Sequence, residues 1–148
     1  MAEEKRVNLK ADKFEKYLND RDMKFFEKSA ARDETETVLF RSNLNIDNQK
    51  LPVVVITDNT IYTIIRVQVG TGLVSVDNKE RMSEYLNEMN RSYKVFKYVY
   101  AEDGTIFLDC CLPSTNESFD PEVVRVVLDV VVDHLNTEFK VLMKKVWG

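Results

Sequence analysis

The strongest hydrophobic pattern lies in the last third of the chain. Eight of the ten residues from 123 to 132 are Val or Leu. Such a run fits a buried strand equally well, so the polar residues must decide. Glu122, Arg125, Asp129, Asp133 and Asn136 recur at spacings of three, four, four and three. That is helical period, and it puts all five on one narrow face. Asp120 can cap this helix, and Pro121 falls in the first turn, where its missing N–H is tolerated. Over the first half the apolar arc spans roughly 240° at about 100° per residue, wider than the stripe a surface helix usually buries. Beyond His134 it narrows to Leu135, Phe139, Leu142 and Val146. The first half is therefore expected to touch two bodies: a sheet, and either another helix or another chain.

The remaining pattern predicts two more helices and five or six strands. Ala11, Phe14, Tyr17 and Leu18 give residues 9–20 one apolar helical face. Residues 23–29 read as a short first strand, with a helix extension as the alternative. Alternation at Val38, Phe40, Leu44 and Ile46 predicts a strand that ends in a turn at 47–50. Residues 51–57 follow, with Pro52 at the strand start. Asp58 and Asn59 suggest a two-residue hairpin. Its partner strand, 61–69, sets Ile61, Ile65, Val67 and Val69 on one face. A second helix is expected from Asp77 as cap, with Glu80 completing a capping box, through Met82, Tyr85, Leu86 and Met89 to Asn90. Strands at 93–100 and 105–112 flank the turn Glu102-Asp103-Gly104, and Pro113 stops the second. Helix, three or four strands, helix, two strands, helix is an α+β order with a largely antiparallel sheet.

Composition narrows the class without naming a function. The chain has 148 residues, the size of a single domain spanning 1–148. At 44% apolar and 31% charged it can build a core and keep a solvated surface. A net charge of −4 with scattered Lys and Arg disfavours nucleic-acid binding, which draws on phosphate neutralisation. No apolar run approaches about 18 residues and no signal-like segment precedes the first helix, so a cytoplasmic chain without membrane contact is expected. In that setting the sequons at Asn90 and Asn116 carry no meaning. Cys110 and Cys111 are neighbours in a strand, so their thiols point to opposite faces and are expected to stay reduced.

Candidate chemistry is sparse. His134 is the only histidine, and any triad or His-rich metal site would have to use it. Its place beside the valine face suits a partly buried ring with a local hydrogen bond. Glu34, Glu36, Asp47, Asp58, Asp77, Glu102 and Asp103 fall in turns and loops, where capping and turn formation account for them. Gly70-Thr71-Gly72 follows a strand but lacks the further glycines and the lysine of a phosphate cradle. No catalytic, cofactor-binding or metal-binding residue is expected.

Leu86-Asn87 and Asn90 at the end of the second helix, the turn Glu102-Asp103-Gly104, Leu112-Pro113 and the ending Trp147-Gly148 resemble the YbjN-like family, which shares the type III secretion chaperone-like fold. With the element order, the resemblance covers about 9–148. It implies a single α+β domain, with helices mainly on one side of the sheet, of a kind that often dimerises. It implies no established catalytic chemistry and no cofactor. Secretion chaperones of this fold are small acidic homodimers that bind an extended partner segment.

Two surfaces remain as interface candidates. One is Val123, Val126, Val127 and Val130, which the first helix would cover in the blander reading. The other is the reverse of the sheet, where alternation sends Leu39, Val54, Ile56, Ile64 and Phe107. Apolar area of that extent on a soluble protein marks an interface. The favoured expectation is a non-enzymatic, homodimeric interaction module that escorts or regulates a partner polypeptide. A small-ligand sensor, with an apolar pocket lined by Tyr85, Tyr98 and Tyr100, is the alternative. An enzyme with an unrecognised site comes last.

Overall fold

A computed structural model describes residues 7–148; the charged stretch 1–6 lies outside them. The elements are α1 (Leu9–Asp20), β1 (Glu27–Ala30), β2 (Val38–Ile46), β3 (Gln49–Thr57), β4 (Tyr62–Gly70), α2 (Lys79–Ser92), β5 (Lys97–Tyr100), β6 (Ile106–Pro113) and α3 (Pro121–Trp147). The strands form one six-stranded sheet in the order β1-β2-β3-β4-β6-β5, and every neighbouring pair is antiparallel. This is an α+β fold.

All three helices lie on one face. The strand residues turned toward them are buried: Val38 and Phe40 of β2, Val53 and Val55 of β3, Ile65 and Val67 of β4, Leu108 and Cys110 of β6. Each strand alternates, so a single apolar set defines the inner side. Phe14 of α1 meets Phe40 edge-on, with ring centroids 4.9 Å apart. Two polar residues fasten α1 to the sheet. Asn8 caps the helix by accepting from the Ala11 amide, and its Nδ2 donates to the Glu36 and Thr57 carbonyls. Lys10 is fully buried, and its Nζ donates to the Thr60 and Tyr62 carbonyls at 2.6 and 3.1 Å. Burial lowers the pKa of that ammonium, and Asp58 opposes the shift.

Helix α3 is capped by Asp120, whose side chain accepts from the Glu122 amide. Its buried stripe is Val124, Val127, Val131, His134, Leu135, Phe139, Leu142 and Val146. The wide apolar arc of the first half is thus only partly covered. Glycine is required at 104, where φ is +85° and an added Cβ would lie 2.2 Å from the Val74 carbonyl oxygen. That contact seats the β5–β6 turn against the chain leading into α2, where the Leu73 and Val74 amides donate to the Gly104 carbonyl.

Four local expectations are corrected. The cap of α2 is Asn78, not Asp77, and no capping box forms. Asn78 is buried, and its amide instead ties the Leu73 and Val146 carbonyls together. The β3–β4 connection is residues 58–61 rather than a two-residue hairpin, because Asp58 closes an Asx turn on the Thr60 amide. Ile61 is left outside the strand and 53% exposed. The two-residue hairpin lies instead between β2 and β3, where Asp47 and Asn48 both take positive φ. Residues 93–96 precede β5 rather than belonging to it: Tyr93 stacks on the buried Phe96.

Leu135 is fully buried in α3. Leu135→Ala should cost about 3 kcal/mol of unfolding free energy, read from urea denaturation. A loss below about 1 kcal/mol would contradict the placement of this helix against the sheet.

Candidate interaction surfaces

The face of the sheet away from the helices is organised in rows set by the strand register. One row runs Ser29, Leu39, Ile56, Ile64, Cys111. The next runs Glu27, Arg41, Val54, Arg66, Asp109, Lys97. A third joins Gln68, Phe107 and Val99. Leu39, Val54, Ile56, Ile64 and Phe107 therefore share one face, as alternation predicts, and each is half-buried rather than open. The reason is the polar row between them. The Arg66 guanidinium grips Asp109 with two bonds of 2.8 Å and lies over the Phe107 ring, 4.4 Å from its centroid. Arg41 donates to Ser29 Oγ at 2.9 Å. A concavity of about 350 Å³ crosses the strands here, lined by Glu27, Arg41, Pro52, Val54, Arg66 and Phe107 among others.

The aliphatic reading of this face missed Arg41 and Arg66. The signal was present, since each stands two residues along a strand from an outward aliphatic, Leu39 and Ile64. The face is mixed: apolar and charged rows adjoin.

The second surface is a ridge on α3. Val123, Val126 and Val130 are 48%, 46% and 43% exposed. Val127 does not belong with them: it is 7% exposed. One residue on from Val126 is about 100° further round the helix, which carries Val127 into the stripe shared with Val124 and Val131. Helix α1 does not cover the ridge. It reaches α3 from the opposite flank, where the Tyr17 hydroxyl donates to Glu122 and Arg21 lies 3.6 Å from the same carboxylate. Arg125 bonds Glu122 at 2.7 Å and Asp129 at 2.8 Å. Donors from Arg125 and Tyr17 hold the Glu122 carboxyl down at about 2.

Most polar groups of the core are matched internally, although Thr63 Oγ1 and Ser114 Oγ are buried without a hydrogen-bond partner. Tyr98 Oη and His134 Nε2 are 2.7 Å apart and buried, with Phe96 and Tyr93 closing over the imidazole at centroid distances of 4.4 and 4.6 Å. Burial lowers the His134 pKa, opposed by Glu138. Tyr85 donates to Glu138, and the Tyr100 and Ser83 hydroxyls are 3.0 Å apart. The three tyrosine tips expected to line a ligand pocket are thus all engaged by neighbouring side chains. Cys110 is buried and its thiol is pushed up to about 12 by that burial, whereas Cys111 is exposed on the outer face. Among the described residues no group of three His, Cys, Asp or Glu could hold a metal ion, and no helix is long and apolar enough to cross a membrane. No family model matches the chain, and no curated protein does.

Two outcomes follow from these environments. A folded state that keeps His134 neutral loses stability as pH falls from about 6.5, where the unfolded chain takes up the proton first. The thermal midpoint should therefore drop between about pH 7.5 and pH 5.5 by more in the wild type than in His134→Gln, by differential scanning fluorimetry. Parallel curves for the two proteins would contradict the buried neutral ring. In native thiol titration, Cys111 alone should react, so Cys111→Ser should leave no fast-reacting thiol. A fast phase surviving in that variant would contradict the burial of Cys110.

Proposed function

We propose that the chain is a non-enzymatic protein-interaction module, a homodimer that acts as a chaperone-like escort or regulator of a partner polypeptide. The observation that carries this reading is the uncovered outer face of a sheet whose three helices all sit on the other side. Leu39, Val54, Ile56, Ile64 and Phe107 lie on it side by side. The resemblance to the YbjN-like family, with its type III secretion chaperone-like fold, points the same way.

The two surfaces suit different tasks. The ridge of Val123, Val126 and Val130 is apolar and uncharged, so it can meet its own copy across a twofold axis. Each valine is already about half buried, so covering the remainder gains on the order of 1 kcal/mol apiece, roughly 6 kcal/mol for two copies. Association costs at least about 4 kcal/mol, so the expected dimer is weak and concentration-dependent. The outer sheet face is left for the partner.

Sedimentation equilibrium over a concentration series tests the dimer. The wild type should self-associate, Val126→Asp should sediment as a monomer throughout, and Ile56→Asp should retain the wild-type behaviour. A wild type that stays monomeric at its solubility limit would overturn the homodimer. Loss of association in Ile56→Asp alone would move the contact to the sheet.

A further inference from the structure

The outer sheet face differs in charge from the rest of the molecule. Its outward-pointing ionisable residues are Arg41, Lys50, Arg66 and Lys97 against Glu27 and Asp109, a net charge of +2. The chain as a whole carries −4. The basic excess therefore sits on the one face that no helix covers, and the remaining surface is strongly acidic.

That asymmetry selects the occupant. A second copy placed face to face would bring the same +2 against itself, with Glu27 the one carboxylate beside Arg41. Like charges juxtaposed across an interface are costly. Asp109 cannot serve Arg41, because it is already held by both forks of Arg66. Among the described residues Arg41 has only Ser29 Oγ, a neutral acceptor, as a hydrogen-bond partner. Beside it runs the apolar row Leu39, Ile56, Ile64, and Val54 and Pro52 line the same concavity as Arg41 and Arg66.

We infer that this face takes an acidic, extended polypeptide segment whose sheet-facing positions carry both Asp or Glu and aliphatic residues. The inference rests on the interaction-module reading and names the partner chemistry that reading leaves open. The fit is geometric as well as electrostatic. Arg41 and Arg66 stand two strands apart, on β2 and β4, which is about 10 Å at the usual strand spacing. In an extended segment residues i, i+2 and i+4 turn toward the sheet at about 7 Å intervals, so a carboxylate at one such position meets Arg41 while an aliphatic side chain at the next settles on Val54. A segment lying across β1 to β6 spans four strand spacings, roughly 19 Å, or about six extended residues. Arg41 supplies the free charge, Arg66 presents its guanidinium flat over Phe107 as a platform, and the Leu39–Ile56–Ile64 row supplies apolar contact.

Fluorescence anisotropy tests the assignment with three labelled peptides of equal length. In one, Glu, Val and Thr are interspersed so that each face of the extended peptide carries both Glu and Val; the others carry Lys or Ser in place of Glu. The full chain should bind the Glu peptide, more weakly as salt rises, and should bind the Lys peptide far less. Arg41→Glu should weaken the Glu peptide at least about tenfold while Val126→Asp leaves it unchanged. Arg41 is exposed, and an unchanged thermal midpoint checks that its variant keeps the fold. Equal affinity for the Glu and Lys peptides, or binding indifferent to Arg41→Glu, overturns the acidic assignment. If the Ser peptide then binds and Ile56→Asp abolishes it, the interaction-module reading survives without the charge selection. If no peptide binds at all, the sheet face is not a polypeptide site and both fall.

Discussion

A six-stranded antiparallel sheet with every helix on one side has two unlike faces, and that asymmetry governs the rest of the molecule. Strand residues alternate, so each inner Val, Ile or Phe commits its neighbours to the outer side. Inside, Phe40, Val55, Ile65 and Leu108 disappear beneath α1, α2 and α3. Outside, Leu39, Val54, Ile56 and Ile64 have only each other and the charged row that crosses them. A fold of this kind must wet its outer face with polar side chains or cover it with another molecule. Here the outer face does part of each: Arg66, Asp109 and Arg41 solvate it, and five apolar residues remain half-exposed among them.

On the inner side, several buried polar groups find partners far along the chain. Lys10 is buried and donates to two hairpin carbonyls, Asn78 joins the start of α2 to the end of α3, and His134 shares a hydrogen bond with Tyr98. Such groups would be costly if unmatched, and their partners come from distant parts of the chain. They fix how the helices sit on the sheet. The Tyr85, Tyr98 and Tyr100 hydroxyls that a core ligand would need are likewise engaged, by Glu138, His134 and Ser83.

Much of this was legible in the residues. The polar spacing from Glu122 to Asn136 marked α3 as a helix, and alternation in β2, β3, β4 and β6 sorted inner from outer positions, Ile61 excepted. The opposite fates of Cys110 and Cys111 followed from adjacency in a strand. What escaped were features decided by distant partners. Asp77 carries a good cap signature, yet Asn78 is the cap because the carbonyl of Val146, at the far end of the chain, binds its amide. Val127 looked like part of an exposed valine face until the position of the sheet showed which side of the helix is inward. Arg41 and Arg66 were missed because attention went to the aliphatic members of an alternating pattern. A lone arginine in a strand carries no pattern of its own; only the register brings these two beside Val54 and over Phe107.

The uncovered outer face can be probed most directly by solvent paramagnetic relaxation of methyl resonances in the free chain. Val53 and Val55 should be shielded from a soluble nitroxide, while Val54 and Ile56, their immediate neighbours in β3, should relax strongly, and Ile64 likewise against Ile65. Equal shielding on both sides of β3 and β4 would contradict the account, because it would mean that the chain already hides the surface on which the proposed interaction depends.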